Sequence, residues 1–368
     1  MNWYESTAPN LFVNSSEETV WMIMYHNDSS GNSFGNTTII ENNFAERLLK
    51  IIVPIVFGVI VTVGFIGNLL VIIVIISNKR MVNTTNILIF SLALADLCFI
   101  VFCVPFTAAK YVIPRWPFGK VWCKIMQYLT YVCAYASVYT LVLMSFDRYL
   151  AVVHPIRSMT IRTEKNCLIM VIIVWVIILA ANAPLLIQFD LLVYVYHGEQ
   201  RQSCVNTAAS EDPMLNIIFY VAFFVAGYVI PLTLVCILYG FMLRRLLFGI
   251  TPRNQSAESI RSKKRVTRMI VIVVILFAIC WLPIQIIFML HSAGVYATNT
   301  TNFWIHLIAN CFAYANSCMN PILYAFLSDN FRKSFRKLLC CSSPALSTYD
   351  YERTQIRGSM STRRSEAV

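Results

Sequence analysis

The sequence predicts an all-α membrane protein: a seven-transmembrane helix bundle with a short amphipathic helix on the inner membrane surface. Three observations carry that prediction. Of 368 residues, 58% are hydrophobic and only 13% charged, where an ordinary soluble domain has roughly a quarter charged. The apolar residues fall into seven blocks, each long enough to cross a bilayer core of about 30 Å as a helix. The positive charge is also unevenly shared: 22 of the 29 Lys and Arg lie in alternate connections and the C-terminal tail, which makes that side cytoplasmic. The net charge of +11 is thus a signature of membrane orientation, and no nucleic-acid partner is expected.

Residues 1–50 are polar and carry the N-glycosylation acceptor pattern at Asn14, Asn27 and Asn36, which suits an extracellular segment. Asn299 carries the same pattern in the last outer loop, whereas Asn83 and Asn254 match on the inner side and are discounted. No basic start followed by an apolar core and cleavage site is present, so the first span is expected to act as its own insertion signal. The spans are expected at about 51–76, 87–109, 125–146, 167–189, 215–243, 269–290 and 303–327, forming a bundle over 51–327. No internal repeat is visible. The tail splits in two. Over 328–341, Phe331, Phe335 and Leu338 share one helical face among Arg332, Lys333, Arg336 and Lys337, as in a helix lying on membrane lipid. Cys340 and Cys341 follow where reversible palmitoylation is expected; the alternative is two idle cytosolic thiols. Residues 342–368 are polar, rich in Ser, Thr and Arg, and expected to be disordered.

Polar residues inside apolar spans are functional candidates. Asp96 is the one acid well inside a span, about 14 Å into its helix at 1.5 Å per residue. Asn68, Ser137, Asn316, Ser317 and Asn320 stand at similar depth in other spans. The set suits a small hard cation such as Na⁺, or equally a hydrogen-bonded cluster around a protonated acid that holds helices together. Asp147-Arg148-Tyr149 ends the third span at its inner side, where an acid beside a base suggests an ion pair that opens in a switch. Pro54, Pro105, Pro184, Pro231, Pro283 and Pro321 place a proline in six spans, each expected to kink its helix. Cys123 and Cys204 are the two cysteines in outer segments, and that compartment favours a disulfide between them. The stretch 192–196, followed by Gly198, reads as a β-hairpin over the mouth of the bundle.

Taken in order, Gly67-Asn68, Leu92-Ala93-Leu94-Ala95-Asp96, Trp116 with Cys123, Asp147-Arg148-Tyr149, Trp175, Pro231 with Tyr239, Cys280-Trp281-Leu282-Pro283 and Asn320-Pro321-Ile322-Leu323-Tyr324 resemble a rhodopsin-like (class A) G-protein-coupled receptor. The likeness covers roughly 51–341. Within that family, Trp116-Pro117-Phe118-Gly119, residues 139–155 and residues 264–283 look most like invertebrate allatostatin-A receptors, relatives of vertebrate galanin receptors. The resemblance implies a plasma-membrane receptor for an amidated neuropeptide, coupled mainly to inhibitory heterotrimeric G proteins and handed to arrestin through its Ser/Thr-rich tail. It implies no catalysis and no cofactor beyond a possible Na⁺. Carried over by position, Asp96, Ser137, Asn316 and Asn320 match the family's sodium pocket. Asp147, Arg148, Tyr239 and Tyr324 match the groups that rearrange on activation. Trp281, with Pro231, Val138 and Phe277, matches the connector beneath the ligand. One departure stands out: Lys263, with Lys264 and Arg265 beside it, occupies the place where many relatives carry an acid that locks Arg148. Asp147 is then the expected partner of Arg148.

Ligand classes are also excluded. Thr130 stands where amine receptors carry an acid, and Tyr314 where light receptors carry a Schiff-base lysine. No nucleophile–base set or metal-ligand spacing recommends an enzyme, and a transporter would need paired ionisable groups and usually repeat symmetry. The expected ligand cup places Gln127, Thr130, Gln285 and Asn310 to hydrogen-bond a terminal amide. Phe106, Tyr131, Phe223, Phe288, His291 and His306 line it, and the outer acids Asp190, Glu199, Glu211 and Asp212 steer a basic peptide from solution.

Overall fold

Hydrocarbon offers the backbone no hydrogen bonds, so each apolar block pairs its own N–H and C=O groups by coiling into a helix. The computed structural model describes residues 35–339, apart from breaks at 79–80, 82, 114, 197–198, 208–211, 249–256, 297–298 and 328. Span one is α1 (Gly35–Ser77), and span two is α2 (Thr84–Phe102) with α3 (Val104–Val112). Span three is α4 (Gly119–Val153), followed by the short α5 (Pro155–Ile161) in the second inner connection. Span four is α6 (Glu164–Asn182) and the single turn α7 (Leu185–Gln188). The strands β1 (Phe189–Tyr196) and β2 (Glu199–Asn206) come next. Span five is α8 (Pro213–Phe224), a π-helical turn (Val225–Val229) and α9 (Ile230–Phe248). Spans six and seven are α10 (Ala257–Ser292) and α11 (Thr300–Leu327), and α12 (Asp329–Leu339) follows.

Several helices overrun the expected spans. The first begins at Gly35 rather than near 51, because hydropathy marks the lipid-buried stretch and not the helix ends. α4 has 35 residues, about 52 Å at 1.5 Å each, and so reaches past the membrane core on both sides. The prolines divide into two groups. Pro54, Pro283 and Pro321 sit inside continuous helices. The second span instead breaks at Cys103, with Pro105 in the first turn of α3. Pro184 lies in the turn that ends α6, and Pro231 follows the π turn. A proline lacks the N–H that would continue the ladder, so the chain either tolerates a freed carbonyl or restarts the helix. The freed region at the π turn is tied sideways: Tyr139 donates its hydroxyl to the Ala226 carbonyl at 3.0 Å, and Tyr228 donates to the Ala278 carbonyl of α10 at 2.9 Å.

α4 is the central post of the bundle, packing on α2, α6, α9 and α10, while α1 closes the ring between α2 and α11. Its buried face meets a core that includes Leu92, Phe99, Val138, Met144, Phe277 and Trp281. The outward faces are as apolar as the core: Ile55, Ile173, Ile177, Ile237, Ile279 and Phe312 are all at least half exposed, a surface suited to lipid and not to water. Six helices among the described residues have both the length and the hydropathy to cross a membrane. α11 has the length, but Asn302, His306, Asn310, Asn316, Ser317 and Asn320 lower its hydropathy. The last five of these are buried, so its polar stripe faces the bundle interior. At the inner end, Phe331 of α12 is buried and stacks on Tyr324 at 5.7 Å, with Arg332, Lys333 and Arg336 exposed.

The hairpin lies where it was expected, with β1 and β2 antiparallel and Leu191 opposite Cys204. Cys204 is bonded to Cys123 at the head of α4. Gly119, which opens α4, has φ 77°, a conformation glycine adopts without strain. That turn lets its carbonyl accept the Trp116 indole N–H at 2.9 Å. The backbone N–H of Trp116 in turn donates to Gln202 of β2 at 2.8 Å, so the first outer loop is sewn to the hairpin.

Candidate functional site

Beneath the hairpin a cavity of about 80 Å³ opens into the bundle from its outer end. Gln127, Thr130 and Tyr131 enter it from α4, Phe223 from α8, and Phe288 from α10; His306 and Asn310 enter from α11. No Asp, Glu, Lys or Arg lies in its wall. The aromatic groups interlock edge to face: Tyr131 on Phe223 at 5.0 Å, Phe288 on His306 at 6.2 Å. Asn310 already donates to the Tyr111 hydroxyl at 2.8 Å, and Thr130 donates to the Met126 carbonyl of its own helix at 2.9 Å. Trp281 forms the floor and stacks on Phe277 at 5.8 Å. Its buried indole N–H has no hydrogen-bond partner among the described residues.

Four expected ligand residues lie outside this cavity wall. Phe106 packs instead against Trp122 and Phe118, with ring centroids at 4.8 and 4.9 Å. Gln285 is 1% exposed and turned into the helix packing, its amide oxygen without a partner among the described residues. His291 stands in the last turn of α10. Asp190 is engaged by its own chain, in an ion pair with Lys120 at 2.6 Å and within 3.8 Å of Lys124. Partial burial works to raise its pKa, but the Lys120 hydrogen bond, the Leu191 N–H and the two lysine charges together hold it below the usual carboxylate value. Asp190 therefore tethers the hairpin to α4. Asp212 is an N-cap, accepting from the Met214 N–H at 2.8 Å, as an aspartate at a helix start commonly does. Asn299 takes the same part at α11, accepting from the Asn302 N–H at 2.8 Å. Sequence reasoning missed Thr107, Asn206, Tyr220 and Ile284, all of which line the cavity. Tyr220 lies one helical turn from Phe223, so that spacing would have found it; Asn206 is brought in only by the hairpin.

Half-way down, Asp96 is fully buried. Its Oδ1 accepts from Ser137 at 3.0 Å and from Ser317 at 2.9 Å, and its Oδ2 accepts from Asn320 at 2.7 Å. Asn68 donates to the carbonyls of Gly64 and Ser317, each at 2.9 Å, leaving its buried Oδ1 without a partner among the described residues. Asn316 is buried close by in sequence but makes no hydrogen bond to Asp96 that parallels these. A carboxylate among neutral donors with no facing base is the donor set that a monovalent cation or a proton would complete. No cluster of three or more His, Cys, Asp or Glu suited to a metal is present among the described residues.

At the inner end Asp147 and Arg148 form an ion pair, and Arg148 also reaches Thr85. Both side chains are buried. Tyr239 lies half-buried beside them, and Tyr324 is wholly buried with no partner for its hydroxyl among the described residues. Asp147 has a second base: Arg162 at 2.6 Å. The sequence pointed to neither Thr85 nor Arg162, because both come from other elements. Asn14, Asn27, Glu211, Cys340, Cys341 and the tail lie outside the described residues, and Asn36 is described only as backbone in α1.

A buried polar axis running from an outer cavity to an inner arginine pair, inside seven lipid-facing helices, defines a membrane receptor. The chain belongs to the 7 transmembrane receptor (rhodopsin family), whose description matches residues 67–324. It is a multi-pass membrane receptor, not an enzyme. It is 47% identical over 336 residues to the allatostatin-A receptor of Bombyx mori, covering 90% of this chain and 92% of that one. The galanin-like G-protein coupled receptor npr-9 of Caenorhabditis elegans is 38% identical over 321 residues, 80% of this chain and 74% of that one. Human galanin receptor type 1 is 37% identical over 289 residues, 78% and 81% of the two chains.

Proposed function

We propose that this receptor binds an amidated neuropeptide of the allatostatin-A or galanin type at its outer face and signals mainly through inhibitory heterotrimeric G proteins at its inner face. The observation that carries this reading is the character of the outer cavity. Its polar groups, Gln127, Thr130, Asn206 and Asn310 among them, are neutral donors and acceptors set in an aromatic wall. A primary amide satisfies such groups, whereas a carboxylate would bring an uncompensated charge. Similarity to receptors named for allatostatin-A and galanin supports the same ligand class. The excess of Lys and Arg on one side supports a plasma-membrane orientation with the N-terminus outside. We also propose Na⁺ as an allosteric partner of Asp96, Ser137, Asn316 and Asn320, where it would supply the missing positive charge.

Further proposals follow the same topology: glycosylation at Asn14, Asn27, Asn36 and Asn299, palmitoylation at Cys340 and Cys341, α12 on the inner lipid surface, and arrestin engagement by the tail. GTP exchange on G proteins in membranes from expressing cells tests the central claim. A synthetic allatostatin-A amide should stimulate exchange, and its free-acid form should be about 100-fold weaker, the cost of a poorly compensated charge. Alanine at Gln127, Phe288, His306 or Asn310 should weaken the amide while surface expression holds. Equal potency of amide and acid would overturn the cavity assignment.

A further inference from the structure

Asp147 serves two arginines. Its Oδ2 accepts from Arg148. Both of its oxygens accept from Arg162, at 2.6 Å from Nε to Oδ1 and 3.0 Å from Nη2 to Oδ2. A two-pronged guanidinium–carboxylate contact of this kind is the stronger and more directional of the two. Arg162 follows the end of α5 in the second inner connection, and its Nη2 also donates to Thr84 of α2 at 3.1 Å. The Asp147 side chain is 8% exposed and that of Arg162 22%. Their neighbours in the adjoining crevice, such as Leu88, Leu143, Ile161 and Met170, are apolar. No other base stands in that wall to replace either arginine.

We propose that Arg162 is a positioning residue for the switch: it keeps Asp147 compensated when Arg148 leaves. This rests on the receptor reading given above. Departure of Arg148 alone would strand a buried carboxylate, and stranding one charge of a buried pair is strongly unfavourable. With Arg162 in place the charge stays paired in both states of the bundle. Its partners lie on α2 and α4, so Arg148 can turn toward Tyr239 and Tyr324 without disturbing them. Arg162 therefore favours the active state, because removing it costs little while Arg148 still holds Asp147 and much once Arg148 has left.

The test is G-protein activation by a synthetic allatostatin-A amide in cells matched for surface receptor. Arg162→Gln should weaken the potency of the amide by about 5- to 10-fold, a typical coupling between linked sites, with no rise in ligand-free signalling. Arg162→Lys keeps the charge but loses the fork, and should fall between. In an Asp147→Asn background the Arg162→Gln change should have no further effect, because there is no carboxylate left to compensate. Increased ligand-free signalling in Arg162→Gln would overturn the proposal, since Arg162 would then be a staple of the inactive state. Unchanged potency, or equal losses with and without Asp147, would overturn it as well. If Arg162→Gln fails to reach the surface, Arg162→Lys carries the same comparison. Failure of the unmutated receptor to respond would instead count against the peptide reading.

Discussion

A carboxylate taken out of water must find a proton, a cation or a base, and the two buried acids among the described residues meet that need differently. Asp147 is held by arginines; Asp96 by Ser137, Ser317 and Asn320 alone. That difference assigns them different sensitivities. Agonist affinity should be lower in sodium chloride than in a large organic cation at equal ionic strength, by about 5-fold or more if the coupling is of ordinary size. Asp96→Asn should abolish the difference. Equal affinities in the two media for the unmutated receptor would make the cluster purely structural. Asp190 is sensitive to pH instead. Its pKa is lowered in the folded protein, so the tether it forms is fully present above the ordinary carboxylate range of about 4. That contribution is lost as pH falls through the depressed folded value. Because Lys120 is 60% exposed, the pair is worth about 0.2–1 kcal/mol, and Asp190→Asn should change hairpin protection in hydrogen exchange only slightly at neutral pH.

Among the elements, span one approaches spans two and seven closely at a glycine. A side chain at Gly64 would place its Cβ 2.1 Å from Ile100 Cδ1 and 3.0 Å from Cys318 Sγ. Overpacking of this kind costs about 1–3 kcal/mol. Gly64→Val should therefore lower the Tm of the detergent-solubilised receptor, and Ile100→Ala in the same chain should restore part of it; an unchanged Tm would mean that the helices simply separate. The outer layer depends on a different restraint. The Cys123–Cys204 bond closes a stretch of 81 residues, and loss of such a bond costs about 2–5 kcal/mol. Cys123→Ser should release the hairpin and cut surface expression or ligand affinity sharply. Normal binding in both single cysteine mutants would show that Lys120, Lys124 and the Gln202 contact hold the hairpin without it.

Over the whole molecule, an agonist acts only through its different affinity for two arrangements of the bundle. The outer cavity and the inner arginine share one continuous post, α4, which bears Gln127 near one end and Arg148 near the other. Trp281, Phe277 and the π turn of span five lie between those levels. On the proposed reading, signalling needs Arg148 at the inner end, while binding does not. Arg148→Ala should abolish G-protein activation yet leave peptide binding measurable, as checked by radioligand saturation beside GTP exchange. Full activation by that mutant would remove Arg148 from the switch.

The number of spans, their order and the residues on the polar axis were legible in the sequence, because lipid enforces the rule that a polar group in a span needs an internal partner. Asp96, Asn68, Ser317 and Asn320 stood out for that reason alone. The disulfide and hairpin were legible as well, from two outer cysteines and a β-rich stretch ending in glycine. Helix ends were not, since α1 and α4 run on into water where hydropathy falls silent. Which side chains share a partner was decided only in three dimensions. Asp190 reads as a free outer acid until folding sets it beside Lys120. Phe106 and Gln285 read as cavity residues until the fold sets Phe106 against Trp122 and Phe118 and buries Gln285 outside the cavity wall. Arg162 reads as one more inner positive charge until α5 lays it across Asp147. Composition and periodicity say that a group must be satisfied; the tertiary fold decides by which neighbour, because pairing depends on distance and angle between elements far apart in the chain.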